Sequence, residues 1–122
     1  MSIIPFADSP RNGAWGDRPY ALIDLAGPAS YTQITPGSPP TGGQALAPAN
    51  FGLSAGLEGI VMVGCSSSGT YGVVAMQTTS YNQGANNTTW ALLWYVLATG
   101  AQVAGATNLS GEVVRLLGFG PY

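Results

Sequence analysis

The chain has no lysine and no histidine, and its 122 residues carry only three cations, Arg11, Arg18 and Arg115, against five carboxylates, Asp8, Asp17, Asp24, Glu58 and Glu112. An ordinary domain is about a quarter charged, whereas this one is 7% charged. Without an imidazole the commonest general acid and base at neutral pH is missing. Cys65 then has no partner to make it a thiolate nucleophile, and no serine has a histidine base. A glycosidase-type pair would need two scattered carboxylates to meet in space, and their spacing gives no hint of it. One cysteine and no histidine make a poor transition-metal donor set. No enzyme activity, cofactor or metal is therefore expected. Three arginines in an acidic chain supply no basic face, so nucleic acid is not an expected partner.

Long apolar runs are also missing. The longest, residues 90–98, is less than half of the about 20 residues a membrane helix needs, so no membrane partner is expected. The start, Met-Ser-Ile-Ile-Pro-Phe, lacks the basic region and apolar stretch of a signal peptide, and synthesis in a cytoplasm is the expectation. The lone Cys65 excludes an intrachain disulfide. The sequons at Asn86, Asn87 and Asn108 read as turn residues. A chain this poor in charge lacks both net repulsion and hydrated side chains, so an assembled protein is expected.

What is present is glycine, proline and large apolar side chains, 46% of the chain being hydrophobic. The sequence is organised around residues 41–53, Thr-Gly-Gly-Gln-Ala-Leu-Ala-Pro-Ala-Asn-Phe-Gly-Leu. Gly42 and Gly43 form a turn that needs positive φ or close approach. Pro48 opens one helical turn, and Leu46 and Phe51 anchor the segment in the core. Before this hinge, residues 1–19 contain three prolines and an Asn-Gly pair, which exclude a helix or central strand. They read as an extended arm whose apolar residues, Ile3, Ile4, Phe6 and Trp15, dock on a neighbouring subunit or on the arm's own domain. Residues 20–122 read as a single β domain.

Alternation predicts a strand over residues 20–26, with a partner strand over 30–34 across a Gly27-Pro28 turn. Residues 35–40 are a stiff proline-rich loop. Residues 57–65 and 70–78 flank Ser66-Ser67-Ser68-Gly69 and read as a hairpin. Residues 81–88 form a polar loop, 89–97 the next strand, 100–108 a turn, and 112–119 the last strand. No segment has a helical stripe of ten residues free of Gly and Pro, and β-branched and aromatic residues dominate the apolar runs. The predicted fold is all-β, a compact antiparallel β-sandwich or barrel with an extended N-terminal arm.

Both faces of residues 89–97 are apolar, Trp90, Leu92, Trp94 and Val96 on one and Ala91, Leu93, Tyr95 and Leu97 on the other. A sandwich strand buries one face and normally leaves the other polar, and a chain this short has little left to cover the second. Trp90, Trp94 and Tyr95 are thus core or subunit-interface anchors. The competing reading is a sugar-binding platform, with Tyr81 and Trp90 beside Asn and Gln.

Residues 40–53, Pro-Thr-Gly-Gly-Gln-Ala-Leu-Ala-Pro-Ala-Asn-Phe-Gly-Leu, resemble a segment of small virion structural proteins of tailed bacteriophages, the head decoration or cement proteins. The resemblance continues through Tyr71 to Val74, through Leu93-Trp94-Tyr95, and through Gly100-Ala101-Gln102-Val103-Ala104, whose turn ends in Asn108-Leu109-Ser110. It closes at Val113-Val114-Arg115-Leu116-Leu117-Gly118-Phe119-Gly120. It covers about residues 40–120, and the N-terminal third is similar only as an apolar arm. The family often has an aromatic-Pro pair before the Gly-Gly and lysines in the penultimate strand. Here Pro39-Pro40 and Leu92-Leu93-Trp94 stand instead, which suggests a strand face that is covered. The resemblance implies a non-enzymatic capsid decoration protein that is made in the bacterial host cytoplasm and resides on the virion. It would self-associate and bind the major capsid protein to stabilise the head. The alternative is a carbohydrate-binding or adhesive module of the virion surface.

Overall fold

A computed structural model of the chain describes residues 3–4, 12–15, 18–37, 39–53, 56–78 and 89–120. The fold is all-β and antiparallel, two sheets facing each other across one core, as the composition of the apolar runs predicts. The first sheet is built on β3 (Arg18–Ala26), the predicted strand lengthened by two residues at its start. Along one edge of β3 lie β1 (Ile3–Ile4) and β2 (Asn12–Trp15). Its other edge pairs with β8 (Val113–Phe119), from Tyr20 opposite Phe119 to Ala26 opposite Val113. Beyond β8 lies β5 (Gly59–Met62). The second sheet has β7 (Trp90–Val96) in its centre, between β4 (Gln44–Leu46) and β6 (Tyr71–Gln77).

The backbone of the arm at 3–4 and 12–15 therefore pairs with the chain's own β3. Proline keeps such segments at an edge, where a missing N–H costs no ladder bond.

Alternation decides what enters the core. Ala21, Ile23 and Leu25 of β3 and Val114 and Leu116 of β8 face Val73 of β6 and Leu92 and Trp94 of β7, all buried. Residues outside the strands, Tyr31, Phe51, Leu57, Val103 and Leu109, close the ends. Trp94 is fully enclosed. A polar chain also runs through this core. Trp94 Nε1–H donates to Gln44 Oε1 at 2.8 Å, and Gln44 Nε2–H to Ala26 O at 2.9 Å. Trp94 N–H donates to Tyr31 Oη at 3.1 Å, and Tyr31 O–H to Gln102 Oε1 at 2.8 Å. Buried polar groups that are all partnered in this way fix one arrangement of the core.

Two sequence expectations are corrected. Residues 30–34 form no strand: Tyr31 and Ile34 are both buried, three apart, a spacing that alternation cannot give. Tyr31 N–H instead reaches Thr107 O at 2.9 Å, and Ile34 N–H reaches Gln102 Oε1 at 2.6 Å. The segment packs against the 102–107 loop, and only Thr35 and Thr41 bridge, closing the proline-rich loop between them. The second correction concerns the hairpin expected over 57–78. β5 and β6 are both strands, but they lie in different sheets, β5 on β8 and β6 on β7. The serine loop is a corner between the sheets. Ser66 N–H donates to Tyr71 O and Ser67 Oγ accepts from Val113 N–H, while Ser68 Oγ–H donates to Glu112. Those three serines satisfy the corner's polar groups where a two-strand ladder would have done so.

Candidate interaction surfaces

The hinge at 41–53 folds as its residues require. Gly42 and Gly43 have φ of +90° and +78°, a region costly for side chains bearing Cβ. Gly43 N–H donates to Thr32 O at 2.8 Å, which turns the chain into β4. In β4 the side chains of Gln44 and Leu46 are buried and that of Ala45 is exposed. A single 3-10 turn follows over Pro48–Phe51, with Pro48 at its first position. Ala47 N–H donates to Asn50 Oδ1 at 2.7 Å, and Asn50 N–H to Ala47 O at 3.0 Å. Phe51 is buried with its ring over Gly118 of β8. All five hinge residues, Gly42, Gly43, Leu46, Pro48 and Phe51, thus hold structural positions, and two of them, Gly42 and Leu46, border an open groove of about 580 Å3. Pro40, Thr41, Ala45, Asn50, Thr89 and Trp90 are among the residues that line it, and no described lining residue is charged.

Ladder geometry adds a feature to this groove. Thr78 N–H donates to Thr89 O and Leu97 N–H to Thr70 O, so the odd-numbered residues of β7 bond β6 and the even-numbered ones bond the opposite side. Val96 N–H to Ala101 O and Val103 N–H to Trp94 O agree. Gln44 and Leu46, opposite Leu92 and Trp90, therefore bond β7, and Ala45 turns its N–H and C=O away from the sheet. Ala45 is a short open edge inside the groove.

The outer face of the second sheet continues from there. Register places Ala45, Ala91 and Met76 in one row, Leu93 and Val74 in the next, then Tyr95 over Gly72. Val74 is 46% exposed, and Leu97 beyond it 42%. No charged side chain stands in these rows. The expectation of a strand apolar on both faces is met in β7: Leu92 and Trp94 fill the core, and Leu93 and Tyr95 are half-buried on the outside.

The outer face of the first sheet carries Tyr20, Leu22 and Asp24 of β3, Val113, Arg115, Leu117 and Phe119 of β8, and Val61 of β5, with Val63 just after it. Val61 and Val63 are 49% and 53% exposed. Phe119 lies over Gly59, as Tyr95 lies over Gly72; an aromatic ring covering a cross-strand glycine restores packing that the missing side chain forfeits. Asp24 and Arg115, directly opposite, form a two-pronged pair, Nε to Oδ1 at 2.8 Å and Nη2 to Oδ2 at 3.1 Å. The hydrogen bond to Asp24 raises the already high Arg115 pKa, partly offset by desolvation.

Among the residues proposed as contacts, Trp94 is core, and its N–H groups are committed inside it. Trp90 is half-buried at the groove, its Nε1–H donating to Leu57 O at 2.7 Å. Tyr95 stands on the outer face. Ile3 and Ile4 lie on the β3 edge and Trp15 ends β2 opposite Arg18. Phe6 and Tyr81 lie outside the described residues. Sequence reasoning missed the buried Gln44 and the half-buried Gln102, which carry no signal of their place in the core. It also missed the Asp24–Arg115 pair, which did leave one: each is a charge set among apolar residues of its strand.

Among the described residues, no three His, Cys, Asp or Glu side chains gather as a metal site, and no helix is long and apolar enough to cross a membrane. Comparisons with protein-family models, curated proteins and solved structures find no significant match to this chain.

Proposed function

We propose that this chain is a non-enzymatic capsid decoration protein of a tailed bacteriophage, which self-associates and binds the major capsid protein to stabilise the head. The observation that carries the reading is the uncharged apolar outer face of the β4–β7–β6 sheet, running from the hinge groove to Tyr95. Such a contiguous patch on a small domain marks a protein contact. Each apolar Å2 it buries across a capsomer junction contributes about 25 cal/mol before association costs, and repetition over a shell multiplies the effect. The sequence resemblance supplies the virion setting, and the scarcity of ionisable side chains suits a purely adhesive role.

Quantitative mass spectrometry of purified phage particles tests this. Hundreds of copies per particle are expected; absence from the particle overturns the virion reading, and a few copies would move it to the tail or portal. Leu93→Lys, on the outer face beside Val74, is expected to lower occupancy on the head about tenfold, the loss typical of an interface anchor. Undiminished occupancy would remove this face from the contact.

A further inference from the structure

We propose that the outer face of the β3–β8–β5 sheet is where two copies of this chain meet about a two-fold axis that passes beside the Asp24–Arg115 pair. The inference rests on the self-association in the proposed function and names the face and the symmetry.

This face differs from that of the second sheet in having charge, and the arrangement of that charge selects the occupant. Leu22, Leu117 and Val61 form one row across the three strands, and Asp24 and Arg115 form the next. The pair is neutral as a unit, and Asp24 is already four-fifths covered while Arg115 is 45% exposed. A neutral pair with a carboxylate on one side and a guanidinium on the other is self-complementary. In an isologous contact residue i meets residue j and j meets i. A two-fold axis between the strands therefore sets Arg115 against Asp24 of the second copy, and Asp24 against its Arg115. Each Arg115 gains the Asp24 carboxylate of the other copy, and within the two pairs no like charges meet. A partner with a purely apolar face would gain nothing from the pair, and a partner of one charge sign would be repelled by half of it.

The apolar rows supply the area. Val61 and Val63, about half-exposed on an edge strand, and Leu117 and Leu22, half-buried, flank the pair. Three strands at about 4.8 Å spacing and seven residues at about 3.3 Å rise make a patch on the order of 15 by 23 Å. At about 350 Å2 per copy that is below the about 600 Å2 per partner of stable interfaces, so the contact is a weak one and the dimer should dissociate on dilution.

Sedimentation velocity of the full chain over a concentration series is the test. Wild type is expected to pass from monomer to dimer with rising concentration, and Val61→Lys, on an exposed site that tolerates lysine, to remain monomeric. Asp24→Arg and Arg115→Asp should each be monomeric alone, because each sets like charges against like across the axis. Mixed in equal amounts they should form a dimer, since one chain then offers two arginines and the other two aspartates. A pair that serves only to hold its own strands gives no such rescue. If the wild type associates but Val61→Lys and the charge variants associate equally well, this face is overturned while self-association stands. If the wild type stays monomeric at the highest concentration, both are overturned, and docking on the head is decided separately by particle mass spectrometry.

Discussion

Tyr31 is the single side chain on which most of the buried polar network turns. Its hydroxyl donates to Gln102 and accepts from the main-chain N–H of Trp94. Burial pushes its pKa above the ordinary value, against the opposing pull of the Trp94 N–H. The folded chain thus holds that proton more tightly than the unfolded chain does. The corresponding stability is complete below about pH 10, the unfolded value, and is lost as pH rises through the higher folded value. Tyr31→Phe leaves the Trp94 N–H buried without its acceptor and should cost about 1–3 kcal/mol at pH 7 in urea unfolding. The variant should also lose stability less steeply than wild type above pH 10. Equal stability at neutral pH would mean that water replaces the hydroxyl. The importance of Tyr31 was not legible in the sequence, because nothing there distinguishes a buried tyrosine with two hydrogen-bond partners from an exposed one.

At the scale of elements, the hinge was the most legible part of the chain. Two adjacent glycines can only be read as a turn, a proline followed by Asn and Phe as a short helical turn, and the apolar residues as anchors. Gly43→Val tests that local reading. A valine there would hold a β-branched side chain at φ +78° and press its Cβ on Ile34 and the Leu92 carbonyl. The conformation alone costs about 1–2 kcal/mol, with the crowding in addition, so a lower midpoint in thermal unfolding is expected before any loss of association. A fully stable variant that fails to bind would make the hinge itself a contact. The strands at 20–26, 89–97 and 112–119 were legible from alternation within one or two residues of their ends. Their partners were not. Alternation reports which side of a strand is apolar, and β5 and β6 alternate equally well as a hairpin or as members of two sheets. The serine corner settles the matter through hydrogen bonds to Glu112 and Val113, some 45 residues away.

For the molecule as a whole, the two outward faces were legible only as a surplus. The sequence contains more apolar strand surface than one core absorbs, and that excess was visible in residues 89–97 and 112–119. Which rows stay exposed depends on register, and register brought Asp24 opposite Arg115 and Tyr95 over Gly72. The covering of glycine by a cross-strand aromatic on both outer faces leaves each one flatter than its residues taken singly would suggest.

The pairing of β3 with β8 has a mechanical consequence. Gly120 N–H reaches Pro19 O at 3.1 Å, and seven residue pairs follow from Tyr20–Phe119 to Ala26–Val113. Tension applied between residues 19 and 120 pulls on the same end of that ladder and opens its pairs one after another, like a zip. Tension between residues 27 and 120 pulls on opposite ends and loads all seven together. Single-molecule stretching through those two sets of attachment points should give a distinctly lower rupture force for the first than for the second. A domain built this way yields or resists according to where it is gripped.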